Sequence, residues 1–184
     1  MQAPDTAPSL AAFEHLLTQF WQVRAQSEHL CEPLEWEDYG VQSMADVSPP
    51  KWHLAHVTWF FEAFVLQPYL RDYRVFDAAY DHLFNSYYQT HGTPFPRAQR
   101  GLLSRPTVRD VYRYRAHVDL AVENLLRNPP AEQAAPLIQR IELGLQHEQQ
   151  HQELLLMDIK HILAQNPLHP VYRSDLRPPS ASPA

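Results

Sequence analysis

Residues 131–164 read AEQAAPLIQRIELGLQHEQQHQELLLMDIKHILA. Leu137, Ile138, Ile141, Leu145, Leu155, Ile159 and Ile162 recur at three- and four-residue intervals, the period of an amphipathic helix. Asn128-Pro129-Pro130 precedes the run and Asn166-Pro167 stops it, so the longest helix of the chain is expected here, with a break near Pro136. Turning about 100° per residue from Ile141 at zero, Ile159 falls near 0°, Leu155 near −40°, His151 near −80°, His147 near −120° and Leu154 near −140°. His147 and His151 therefore share one face, inside a broad apolar arc.

The same reading outward predicts three more helices. Leu10, Phe13, Leu16, Leu17, Phe20 and Trp21 mark one over 9–30, with Ser9 as its cap. Ser48-Pro49-Pro50 is a helix start, predicting a second from Pro49 to Leu66 that ends near Pro68. Ser104-Arg105-Pro106-Thr107 opens a third, which Val108, Val111, Tyr112, Val118, Val122 and Leu125 carry to Arg127. Four long helices without a convincing strand or internal repeat predict an all-α four-helix bundle. Residues 70–103 are too many for a hairpin and form a long crossover between the second and third helices, of a length that is usually functional or carries short helices. The expected organisation is a flexible N-terminus over 1–8, one bundle over 9–173 and a disordered tail or linker over 174–184.

Composition narrows the function classes. The 184 residues are 45% hydrophobic and 20% charged, enough for one sizeable core. Fifteen Lys+Arg against 21 Asp+Glu give a net charge of −6, which argues against nucleic acid as a partner and leaves no polybasic membrane patch. Four glycines are too few for a Gly-rich phosphate loop or a dinucleotide fold. The 17 prolines cluster between helices rather than scattering. One cysteine, Cys31, cannot form an internal disulfide, and no secretory leader or apolar run of spanning length is present, so a cytoplasmic location is expected. Eleven histidines are many for this length, and histidine is the commonest metal ligand.

An i,i+4 histidine pair can present two nitrogens to one ion. On an isolated helix the pair is as readily ordinary surface polarity, but inside an apolar arc two imidazoles need partners. A third ligand is available from Lys51-Trp52-His53-Leu54-Ala55-His56 on the second helix. His56 has Trp52, Trp59 and Phe60 around it and His53 follows Lys51; periodicity favours His56 only slightly over His53. Three histidines from two facing helices would leave open positions for substrate or oxygen.

Pro50-Lys51-Trp52-His53-Leu54-Ala55-His56 through Glu62, Leu83-Phe84-Asn85-Ser86-Tyr87-Tyr88, Gly101 through Thr107, and His147-Glu148-Gln149-Gln150-His151-Gln152-Glu153, in that order, closely resemble the N-terminal DinB-like domain of ergothioneine-biosynthesis sulfoxide synthases. The likeness covers roughly residues 9–173. It implies a mononuclear non-haem Fe2+ held by His56, His147 and His151, and selects His56 over His53, so that His53→Ala is expected to leave metal binding largely intact. It implies oxidoreductase chemistry in which dioxygen joins the sulfur of cysteine or γ-glutamylcysteine to C2 of the hercynine imidazole as a sulfoxide. Tyr87 and Tyr88 match the segment that brings a tyrosine to the active site in a cysteine-using branch. Arg97 and Arg100, on the crossover, match arginines that face the thiol substrate, and Gln150 matches a glutamine contacting the acceptor's imidazole.

The resembling enzymes continue into a second domain, similar to formylglycine-generating enzymes, which closes the iron site. No such sequence follows here before Ala184, so sulfoxide synthesis is expected to need that domain or a partner chain. Two other readings fit the same residues: a DinB-like metal-dependent thiol transferase, since three imidazoles also accept zinc, nickel or copper, and a non-catalytic metal-binding or interaction module.

Overall fold

The computed structural model describes residues 10–87 and 92–175. The expectations for 1–8 and for 176–184 lie outside the described residues. Helix α1 is Leu10–His29, α2 Pro50–Phe61, a short α3 Tyr80–Phe84, α4 Val108–Arg127 and α5 Ala134–Gln165. Among the described residues there is no strand, and α1, α2, α4 and α5 are the four expected helices of the bundle. No described helix is long and apolar enough to cross a membrane.

Helix boundaries follow local chemistry, with three departures from expectation. Pro136 does not break α5, because it lies in the first turn, where backbone N–H groups have no intrahelical partner. At α4 the cap is Thr107, whose Oγ1 accepts the Asp110 N–H at 3.1 Å while Asp110 Oδ2 accepts the Thr107 N–H at 3.1 Å. Ser48 does not cap α2, since Pro49 occupies that position. Beyond Phe61 the helix runs on through a π turn, Glu62–Leu66, to a last turn at Gln67–Tyr69, with the Gln67 N–H on the Glu62 carbonyl. The Glu62 carboxylate is buried and accepts from Tyr73 Oη (2.6 Å), Tyr114 Oη (2.5 Å) and the Phe76 N–H (2.9 Å).

Every residue of α2 is buried, so this helix forms the centre of the molecule, with α1, α4 and α5 about it. At Gly144 α5 packs directly on the aromatic rings of α2: a Cβ there would lie 2.6 Å from Cε1 of Phe61. Burial of side chains such as Phe20, Leu137 and Ile141 contributes about 1.5–3 kcal/mol apiece. A polar cluster fixes the register of this apolar packing. Arg24 of α1 donates to Thr58 of α2 (2.9 Å), Asp119 of α4 (2.7 Å) and Glu148 of α5 (2.8 Å), touching all three other helices at once. Glu148 also accepts from Ser27 at 2.6 Å and from Arg115 at 3.3 Å. Burial would raise its carboxyl, but Arg24 and Arg115 more than offset that and hold it below the usual range.

The crossover is not structureless. It carries α3 and a 3₁₀ turn at Arg97–Leu102, which returns to the N-terminal end of α2 through Arg97 Nη2 on the Asp46 carbonyl and Arg100 Nη1 on Ser48 Oγ (2.9 Å). Helix α3 is pinned to α2 by Trp59 Nε1 on Asp81 Oδ1 (2.8 Å) and Trp52 Nε1 on the Leu83 carbonyl (3.1 Å).

Candidate metal centre

The side chains of His56, His147 and His151 converge, each offering a ring nitrogen within 4.8 Å of the others. Nε2 of His56 and Nε2 of His147 stand 3.2 Å apart. Two nitrogens each about 2.0–2.1 Å from one ion in tetrahedral geometry stand about 3.3 Å apart, so the pair already has the spacing of two ligands. The Nδ1–H of His56 donates to the Phe84 carbonyl at 2.5 Å, and a carbonyl only accepts, so Nε2 of a neutral His56 is bare. Nδ1 of His147 is buried with no hydrogen-bond partner among the described residues, and Nε2 is the atom that faces the centre.

Electrostatics keep the cluster in its ligating form. Burial, followed by the neighbouring His147, holds His56 well below its ordinary range. Burial lowers His147 to about 4. His151 is lowered by burial and then by His56 and His53. Metal binding needs neutral imidazoles, and these stay neutral at physiological pH. The chemistry of the donor set and its spacing thus fit one metal ion, without selecting which.

The family profile of the DinB superfamily matches residues 19–155, spanning α1 to the histidine pair on α5. The chain belongs to the DinB superfamily. No curated protein matches it significantly.

Beside the histidines this DinB domain has a cavity of about 270 Å³, lined in part by His53, His151, Tyr87, Arg97, Arg100 and Gln150. Three larger clefts, of about 520, 550 and 780 Å³, lie elsewhere and include none of the three histidines. Arg100 is buried, its guanidinium 3.2 Å from the Trp52 ring centroid, and its Nε has no partner among the described residues. Trp52 in turn stacks on His56 at 4.6 Å. Arg97 and Gln150 are exposed at the cavity's edge, and Tyr87 is 70% exposed. Tyr88 lies outside the described residues.

Sequence reasoning missed one carboxylate and set aside one imidazole. His53 is buried on α2 but outside the three-histidine cluster, and its Nδ1 lies 2.9 Å from Nδ1 of His151. Its Nε2 lies 2.9 Å from Oδ2 of Asp158, which also accepts the Ser48 N–H at 2.9 Å. Burial lowers His53, with Asp158 opposing that shift. Asp158 had a legible signal. At about −100° on the arc measured from Ile141 it falls between His151 and His147, a charged residue on a buried face.

Proposed function

We propose that this chain is the iron-holding helical domain of a non-haem iron sulfoxide synthase of ergothioneine biosynthesis. In that reading Fe2+ sits on His56, His147 and His151, and dioxygen serves to join the sulfur of cysteine or γ-glutamylcysteine to C2 of the hercynine imidazole. The observation that carries it is the convergence of these three imidazoles beside a cavity that bears Arg97, Arg100, Tyr87 and Gln150. The ordered likeness of the sequence motifs supports it.

Bound iron(II) supplies open coordination positions and redox capacity. The protein supplies placement. Both thiol donors and hercynine carry carboxylates, and the unpartnered Nε of Arg100 with the nearby Arg97 is a guanidinium pair suited to one. The Gln150 amide can hydrogen-bond an imidazole, and the Tyr87 hydroxyl is a proton donor at the cavity's edge. With Tyr87, Arg97 and Gln150 exposed, a second wall is required to exclude water, and a formylglycine-generating-enzyme-like domain or partner chain is its proposed source.

The test is anaerobic loading with Fe2+ followed by oxygen, hercynine and each thiol, with the sulfoxide sought by mass, for the chain alone and with such a domain added. Iron-dependent sulfoxide in the completed reaction is expected, with Tyr87→Phe slowing it or diverting it to simple thiol oxidation. No sulfoxide in either arm defeats the reading. Oxygen-independent thiol transfer with zinc bound would favour the transferase instead.

A further inference from the structure

We propose that His53 and Asp158 are positioning residues that lock His151 into the tautomer whose Nε2 faces the metal. This rests on the three-histidine site being a metal centre, and extends it to two residues that touch no ion.

The argument is a count of protons along a chain of contacts. Oδ2 of Asp158 accepts the Ser48 N–H, and the same oxygen lies 2.9 Å from Nε2 of His53. Nε2 of His53 therefore carries the proton and donates it. A neutral imidazole has only one N–H, so Nδ1 of His53 is a bare acceptor. That acceptor lies 2.9 Å from Nδ1 of His151, which must be the donor. The single proton of His151 is then committed to Nδ1, and its Nε2 lone pair is left for the centre. Reversing any link would place a proton on Nε2 of His151 and abolish it as a ligand.

The geometry also explains why the relay needs both helices. His151 and Asp158 stand seven residues apart, two turns of α5, and His53 of α2 bridges them across the interface. The Ser48 N–H holds the carboxylate from the segment just before α2, and the Ser48 hydroxyl takes Arg100 Nη1 from the crossover. His53 is 4% exposed and Asp158 2% exposed, so neither has water as a ready substitute partner. Hydrogen-bond partners of metal-bound histidines, when removed, typically cost 10–100-fold in affinity. On this proposal, losing His53 weakens metal binding, where the sequence alone predicts little effect.

Zinc(II) titration against a competing chelator tests this, together with ¹⁵N-detected histidine tautomer assignment in the metal-free protein. His53→Phe keeps the ring volume without nitrogens, and is expected to bind Zn2+ about 10–100-fold more weakly than the parent. Circular dichroism establishes that it is folded. The parent spectrum is expected to show His151 protonated at Nδ1 and His53 at Nε2, a signature that packing alone would not produce. Wild-type Zn2+ affinity in a folded His53→Phe protein, or a proton on Nε2 of His151, overturns the proposal. So does a zinc-bound spectrum with the metal on His53. Should His53→Phe fail to fold, the parent's tautomers decide. Failure of the metal reading itself looks different: the parent would bind no Zn2+, or His56→Ala would bind it equally well.

Discussion

His56 and Phe84 are joined by a 2.5 Å hydrogen bond from the imidazole Nδ1 to the backbone carbonyl, so a residue in the bundle's central helix is aimed by the end of a short helix in the crossover. The crossover therefore helps to build the centre. It also carries Tyr87 and Arg100 to the neighbouring cavity.

Replacing His56, His147 or His151 by alanine should each abolish tight metal binding, because two remaining imidazoles no longer make a three-ligand site. A loss of at least 100-fold in Zn2+ or Fe2+ affinity is expected for each variant. Competition titrations and metal content after dialysis measure it. Retention of stoichiometric metal by any of the three would remove that residue from the ligand set.

Gly144→Ala sets two effects against each other. In a helix interior alanine is favoured over glycine by about 1 kcal/mol. Its methyl would however lie 2.6 Å from the fully buried Phe61 ring, and overpacking costs about 1–3 kcal/mol. Net destabilisation and weaker metal affinity are expected, since His147 follows one turn later on the displaced helix. Urea unfolding reads the first and metal titration the second. A stabilised variant would show that Phe61 yields without moving α5.

Glu148→Gln keeps the shape of the buried carboxylate but removes its charge, leaving Arg24 and Arg115 buried with less compensation. Breaking such a pair costs about 3–5 kcal/mol. The expected result is a large fall in the urea midpoint. If the midpoint moves by less than the equivalent of about 1 kcal/mol, Asp119 and Glu28 suffice for the two guanidiniums.

The metal-free protein should lose stability as the pH falls. His53, His56, His147 and His151 are held below their ordinary range by burial, His147 at about 4, whereas in the unfolded chain they take up protons near 6.5. Below that value the unfolded state binds more protons, so stability is complete above about pH 6.5 and declines towards about pH 4. His147 alone accounts for something on the order of 2–3 kcal/mol over that span. Melting temperatures from pH 7.5 to 4.5 measure the slope, and His147→Phe should flatten it. A melting temperature independent of pH in that window would contradict the assignment of buried neutral imidazoles.

The extent to which the sequence was legible differs from helix to helix, for a physical reason. Helices α4 and α5 have one buried face, and their apolar spacing located them and put His147 and His151 on the inward arc. Helix α2 is buried all round, so hydrophobic period carries no information about direction there, and His53 and His56 look alike. What separates them is a partner remote in sequence: the Phe84 carbonyl for His56 and Asp158 for His53. The π turn after Phe61 was likewise decided by a backbone hydrogen bond that composition does not record.

The 32 residues of α5 run from 134 to 165, and the histidine pair at 147 and 151 straddles their midpoint. A rod rocked about its middle moves most at its tips. With a rise of about 1.5 Å per residue, a 10° tilt swings each tip by about 4 Å but shifts a residue two places from the fulcrum by only about 0.5 Å. The two imidazoles thus occupy the stretch of α5 that any tilt of the helix displaces least, which keeps them within coordinating reach of His56.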